Sequence, residues 1–390
     1  MTTSSIRIAQ RFAVTLVIAA ATIAVAKSTA QAGPEFDLLD HGVNFDWWAS
    51  ATPVPPSLSA AQLKDIRAAG FNHVRIPLNT KTVIAEDGHG FAVCAPDVPL
   101  REYFRAAIPA FAQANLAMVP VVEPSKDRPF QDWIAQDTSG RRLADVVGCL
   151  IATASAVDAT YARSKMAFGL LNEPHVMPAT WNIVQSNAVR LLKAKYPDAK
   201  LLVTPAFPPT LKALLDMPRI SVPGVAAEFH YYEPYEFNFQ GDPHTPAWLA
   251  SAHGLTFGAK HLGQECDAAS TSTDPATLCA AMKRHDLAGF TAARVAQDFH
   301  KVVAWAGGTY VYVGEYGVHV DWPDQRGADR EAAAAWFQMV VGEFRRARFG
   351  RAVYELGCGF GILRTRICDA KALQQEKTLD FDPVLLRALN

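Results

Sequence analysis

The strongest constraint in this chain is an alternation. Short apolar runs with no polar–apolar period recur along the sequence, and helix-length segments lie between most of them. The runs are Gly42–Phe45, Asn72–Leu78, Leu116–Val122, Met166–Leu171, Lys200–Thr204, Gly224–Phe229, Tyr310–Gly314 and Ala352–Leu356. A strand without period-two alternation is buried on both faces, which is the mark of parallel pairing. Helices are expected at Ala60–Ala69, Arg101–Ala114, Ile151–Ser164, Ala179–Lys195, Leu211–Asp216, Phe290–Ala304, Ala328–Arg345 and Pro383–Leu389. Such alternation predicts an α/β chain folded as a (β/α)8 TIM barrel over residues 33–390. An open doubly wound sheet is the runner-up, and no G-x-G-x-x-G follows the first strand to favour it. One stretch, Gln240–His285, breaks the spacing after the sixth strand and reads as a loop insertion on the site side.

Residues 1–32 have the grammar of a cleaved signal peptide. Arg7 and Arg11 precede the apolar stretch Phe12–Ala26, and Ala30-Gln31-Ala32 supplies small residues for cleavage before Gly33. That stretch is shorter than the roughly 20 residues a membrane-spanning helix needs. A secreted protein is therefore expected, periplasmic or extracellular, with no membrane attachment after cleavage. Export explains six cysteines: Cys94, Cys149, Cys266, Cys279, Cys358 and Cys368. Spacing favours Cys266 with Cys279 and Cys358 with Cys368 as short clips, leaving Cys94 with Cys149. A formal net charge of −1 gives no electrostatic case for nucleic acid or an anionic membrane. The expected partner is a neutral polysaccharide or oligosaccharide, bound by a monomer.

In a parallel barrel, the residues just past each strand's C-terminal end converge on one mouth. Here they include Asn44 and Trp47, Arg75, Glu123, Asn172 and Glu173, His230 and Tyr232, Glu315, and Tyr354 with Glu355. Leu170-Leu171-Asn172-Glu173-Pro174 is an apolar run ending abruptly in an amide and a carboxylate, since Pro174 cannot continue a ladder. Tyr312-Val313-Gly314-Glu315 repeats that grammar. Neither a G-x-S-x-G elbow nor H-E-x-x-H occurs, so neither serine nor zinc hydrolysis is expected, and no cofactor or metal. Two carboxylates among amide, guanidinium, imidazole and aromatic groups suit cleavage of a glycosidic bond. Arg75 and Tyr232 are expected to hold Glu315 ionised as nucleophile, while Glu173 serves as acid and base. Asn172 and His230 are expected as substrate-binding support, with Trp47 and Trp322 as sugar platforms.

The ordered motifs Val74-Arg75-Ile76-Pro77, Leu171-Asn172-Glu173-Pro174, His230-Tyr231-Tyr232 and Gly314-Glu315-Tyr316-Gly317 resemble glycoside hydrolase family 5, the cellulase-like retaining enzymes of clan A. The resemblance runs from Gly42 to about Ile362. It implies the barrel, Glu173 as acid/base, Glu315 as nucleophile, and Arg75, Asn172, His230 and Tyr232 as supporting residues. Two positions depart from the family. Glu123 stands where a histidine is usual, and Tyr354 where a tryptophan usually stacks under the sugar. A β-1,4-glucan or related polysaccharide is the expected substrate. A mannanase, an exo-acting glucosidase, an exopolysaccharide-trimming enzyme and a non-catalytic carbohydrate-binding barrel are the alternatives.

Overall fold

The computed structural model describes residues 34–45, 57–86, 91–124, 127–258 and 265–390. Residues 1–32, read above as a signal peptide, and Trp47 lie outside the described residues. Eight strands form one sheet: β1 (Gly42–Asn44), β2 (His73–Asn79), β3 (Ala117–Glu123), β4 (Phe168–Gly169), β5 (Leu201–Val203), β6 (Val225–Tyr231), β7 (Val311–Tyr316) and β8 (Gly350–Val353). Every strand pair in that sheet is parallel. The remaining edge, β3 against β4, is closed by a Met118–Met166 bridge and by the Asn172 amide donating to Val122 O at 2.8 Å. The result is the (β/α)8 barrel the alternation predicts.

Strands buried on both faces explain the continuous apolar runs. In β2 and β3 every residue but the last is buried. Inside the barrel Phe36, Leu39, Val119, Ala167, Leu202, Ala226, Tyr312 and Ala352 form one cluster, in which alanines leave room for the large rings. Phe36 and Leu39 come from the 3-10 turn Pro34–Leu39, placing that turn at the N-terminal end of the barrel. The opposite, C-terminal end carries the site.

Several boundaries differ from the sequence reading. The eighth strand ends at Val353, so Tyr354 stands just beyond it. The helix expected at Ile151–Ser164 starts at Arg141 and breaks at Asp158, whose side chain accepts from the amides of Thr160 and Tyr161. The insertion after the sixth strand is not all loop. It holds the helix Pro275–Arg284, with Asp274 accepting from Thr277 N at its start. A small hairpin, Ile84–Glu86 with Phe91–Val93, was unforeseen. Three disulfides, Cys94–Cys149, Cys266–Cys279 and Cys358–Cys368, join the pairs that spacing favours.

Candidate active site

The mouth is organised around Arg75. Its position in the middle of β2 places the guanidinium inside the barrel, 1% exposed, where it must find acceptors for its donors. Nε donates to Glu228 Oε1 at 2.9 Å, and Nη1 donates to Asn44 Oδ1 at 3.0 Å and to Glu315 Oε1 at 2.9 Å. Nη2 donates to Asn172 Oδ1 at 2.5 Å. The strand register carries these partners to one level, since Asn44 pairs with Arg75 across β1 and β2. Gly314 is required here, because a Cβ would stand 1.9 Å from Glu228 Oε1.

Glu315 ends the run Val313-Gly314-Glu315 and is 6% exposed. Besides Arg75 it receives the Tyr232 hydroxyl on Oε2 at 3.0 Å. Burial pushes its carboxyl above the usual carboxylate range, His230 and Arg75 pull it down, and Glu173 adds to the rise. The upward direction differs from the sequence expectation, which counted the donors and not the burial. Glu228 takes the opposite course: burial would raise it, but Arg75 and then His230 hold it below the usual range. Burial and then the Glu315 charge push the Tyr232 hydroxyl well above its ordinary value, so it stays a donor.

Glu173 follows the end of the β4 run in a left-handed conformation, φ 39°, uncommon for a residue with a side chain and frequent at functional sites. Its side chain is 25% exposed and accepts from His230 Nδ1 at 2.8 Å. The same nitrogen lies 3.4 Å from Glu315 Oε2. Burial alone would lower His230, yet Glu315, the bond to Glu173 and the Glu228 carboxylate 3.8 Å from Nε2 hold it up at about 10. One carboxylate oxygen of Glu173 and one of Glu315 stand within 4.8 Å of each other. With His230 they bring three possible ligand atoms within 4.8 Å of one another.

Asn172 lies between Arg75 and Glu123: its oxygen accepts from the guanidinium and its nitrogen donates to Glu123 Oε2. Tyr354 is half-buried at the mouth, its ring centroid 6.4 Å from that of Tyr232 and 5.6 Å from Phe360. Trp322 must be corrected. It is 3% exposed, its Nε1 donates to Gly359 O at 3.1 Å, and the Arg330 guanidinium covers its ring at 4.5 Å, so no face is open to a sugar. Glu228 was missed in the sequence, although it precedes His230 by two residues in one strand and therefore shares its face.

A family model described as cellulase (glycosyl hydrolase family 5) matches residues 38–355. The chain belongs to glycosyl hydrolase family 5. This glycoside hydrolase shares its fold with solved structures that are distant in sequence. The Clostridial cellulose synthase subunit Z (CcsZ) from Clostridioides difficile has 21% identity and a TM-score of 0.65, with 90% of this chain and 99% of that one covered. A hyperthermophilic endo-β-1,4-glucanase in complex with substrate has 19% identity and a TM-score of 0.67, covering 91% and 98%. Thermotoga maritima Cel5A in complex with mannotriose has 19% identity and a TM-score of 0.65, covering 91% and 99%. Among curated proteins, none matches the family 5 chain.

Proposed function

We propose that this family 5 hydrolase is a secreted, retaining enzyme that cleaves a β-1,4-linked glucan or a related polysaccharide by double displacement. The observation that carries the reading is the approach of one carboxylate oxygen of Glu173 to one of Glu315 within 4.8 Å, which suits the closer of two known spacings. Retention calls for carboxyl groups about 5–5.5 Å apart, while inversion needs about 6.5–9.5 Å to admit a water. Glu315, fixed by Arg75 and Tyr232, is the nucleophile that attacks the anomeric carbon. Glu173, more exposed and bonded to His230, gives its proton to the departing glycosidic oxygen. In the second step Glu173 takes a proton from water, whose oxygen attacks the glycosyl–enzyme ester and frees the Glu315 carboxylate. Asn172 and Glu123 offer polar groups to sugar hydroxyls, and Tyr354 a ring. Export is supported by the leader sequence and by three disulfides, which persist in oxidising compartments.

Glu173→Gln and Glu315→Gln should each lower hydrolysis more than about a thousandfold with the fold intact. Wild-type rates in either variant would overturn the assignment. Because one solved relative holds mannotriose, the substrate panel should include mannans beside glucans and xylans, with product analysis to fix the cutting mode.

A further inference from the structure

The Asn172 amide is held at both ends. Oδ1 accepts from Arg75 Nη2 at 2.5 Å, and Nδ2 donates to Glu123 Oε2. A guanidinium has only donors and a carboxylate only acceptors, so these two neighbours permit one sense of the amide. Turned by half a revolution, it would set N–H against N–H at Arg75 and oxygen against oxygen at Glu123. The amide is buried, where such a mismatch is costly.

Glu123 is itself placed by its strand. It closes β3, level with Asn79 at the end of β2, and the next carbonyl, that of Pro124, accepts from Gln131 Nε2 at 3.0 Å. The backbone N–H of Asn172 donates to Val122 O at 2.8 Å, which keeps Asn172 beside Glu123. Hydrogen bonds then run from Glu123 through the amide to Arg75, and from Arg75 Nη1 to Glu315 Oε1 at 2.9 Å. An acceptor on the nitrogen side and a cation on the oxygen side draw the amide electrons toward oxygen, so the second N–H of Nδ2 becomes a stronger donor. Position 123 is one of the two at which the chain departs from the family pattern. An imidazole there would offer a donor as well as an acceptor and would not dictate the sense of the amide.

We infer that Glu123 is a positioning residue: it fixes the Asn172 amide so that the remaining N–H, and not the oxygen, meets the saccharide beside the nucleophile. This rests on the proposed role of Glu315. Amide and nucleophile are held by the two terminal nitrogens of one guanidinium. A sugar whose anomeric carbon faces Glu315 therefore brings the oxygen on its next ring carbon, the 2-hydroxyl, toward the amide. Bonds to that hydroxyl strengthen as the oxocarbenium-like transition state forms, so a donor fixed there acts on rate.

The test compares wild type, Glu123→Met and Glu123→Gln on dinitrophenyl β-cellobioside and on its analogue lacking the 2-hydroxyl of the sugar that carries the aryl group. Glu123→Met should lower kcat/KM about ten- to a hundredfold on the cellobioside and less than about threefold on the 2-deoxy substrate. Glu123→Gln, which still offers Nδ2 an acceptor, should lose less than Glu123→Met. Equal losses on both substrates would mark a general structural defect and overturn the inference, as would wild-type rates in Glu123→Met. The two Asn172 side-chain amide protons, assigned by their absence in Asn172→Asp, give a reading independent of turnover. In a nitrogen–proton correlation spectrum the one bonded to the carboxylate should lie downfield and move upfield in Glu123→Met. If wild type cleaves neither glycoside, that movement keeps the positioning and removes glucan hydrolysis; unmoved protons remove the positioning.

Discussion

One imidazole nitrogen bridges two carboxylates: His230 Nδ1 lies 2.8 Å from Glu173 Oε1 and 3.4 Å from Glu315 Oε2. Burial disfavours a charged ring there, but Glu315 and Glu173 outweigh it and hold the proton to about pH 10, against an ordinary value of 6.5. The fold therefore binds a proton that the unfolded chain releases across that window. The resulting stabilisation is complete below about pH 6.5 and is lost as pH climbs through about 10. Melting temperature should fall from pH 7 to 9.5, and the fall should be shallower in His230→Asn. An equal slope in both proteins would show that the bridge does not hold the proton.

Arg75 is the second point on which the mouth depends. It serves Glu228, Glu315, Asn44 and Asn172 at once, so removing it takes from two buried carboxylates the guanidinium they share. Arg75→Met should cost about 3–5 kcal/mol in urea denaturation, the range for breaking a buried ion pair. Arg75→Lys should recover part of that, because an ammonium replaces the charge but not the planar fork that reaches four partners. A neutral result for Arg75→Met would mean that Glu228 and Glu315 fold protonated.

The barrel was legible because parallel strands hidden on both faces keep unbroken apolar runs, and a carboxylate or amide at the end of such a run stands out. Glu173, Glu315 and Asn172 could be gathered on that ground, and Arg75, His230 and Tyr232 on the family motifs; the structure brings all six together. Trp322 could not be judged, since a ring's identity does not say whether a cation eight positions later will cover it, as Arg330 does. The helix Pro275–Arg284 carried its own signal, Asp274 as cap and Pro275 as first residue, obscured by the surrounding irregular sequence. Glu315's upward shift depends on burial in the assembled barrel, which no local motif records.

The disulfides should differ in weight. Cys94–Cys149 ties residues 55 apart, from beside the small hairpin to the long helix Arg141–Lys165, while Cys266–Cys279 and Cys358–Cys368 close spans of 13 and 10. On chain entropy alone, the long link is worth about 4 kcal/mol and each short one about 3 kcal/mol. Replacing Cys94 and Cys149 together by serine should therefore lower the urea midpoint more than either other double replacement. The opposite order would place the stabilisation in the folded state instead of the unfolded chain.

The roles of the two glutamates are separable by a small anion. With an activated β-glycoside, Glu315→Ala removes the group that attacks the anomeric carbon and leaves a cavity on that face. Azide entering there displaces the leaving group once and gives the α-glycosyl azide. Glu173→Ala keeps the nucleophile, so the glycosyl ester still forms from a substrate that needs no acid, but the water that should open it lacks a base. Azide opens it instead, in a second displacement that returns the β-glycosyl azide. Proton NMR of the products reads the two anomers directly. The same anomer from both variants, or the reverse pairing, would overturn the assignment of nucleophile to Glu315 and acid to Glu173, while their approach within 4.8 Å would remain.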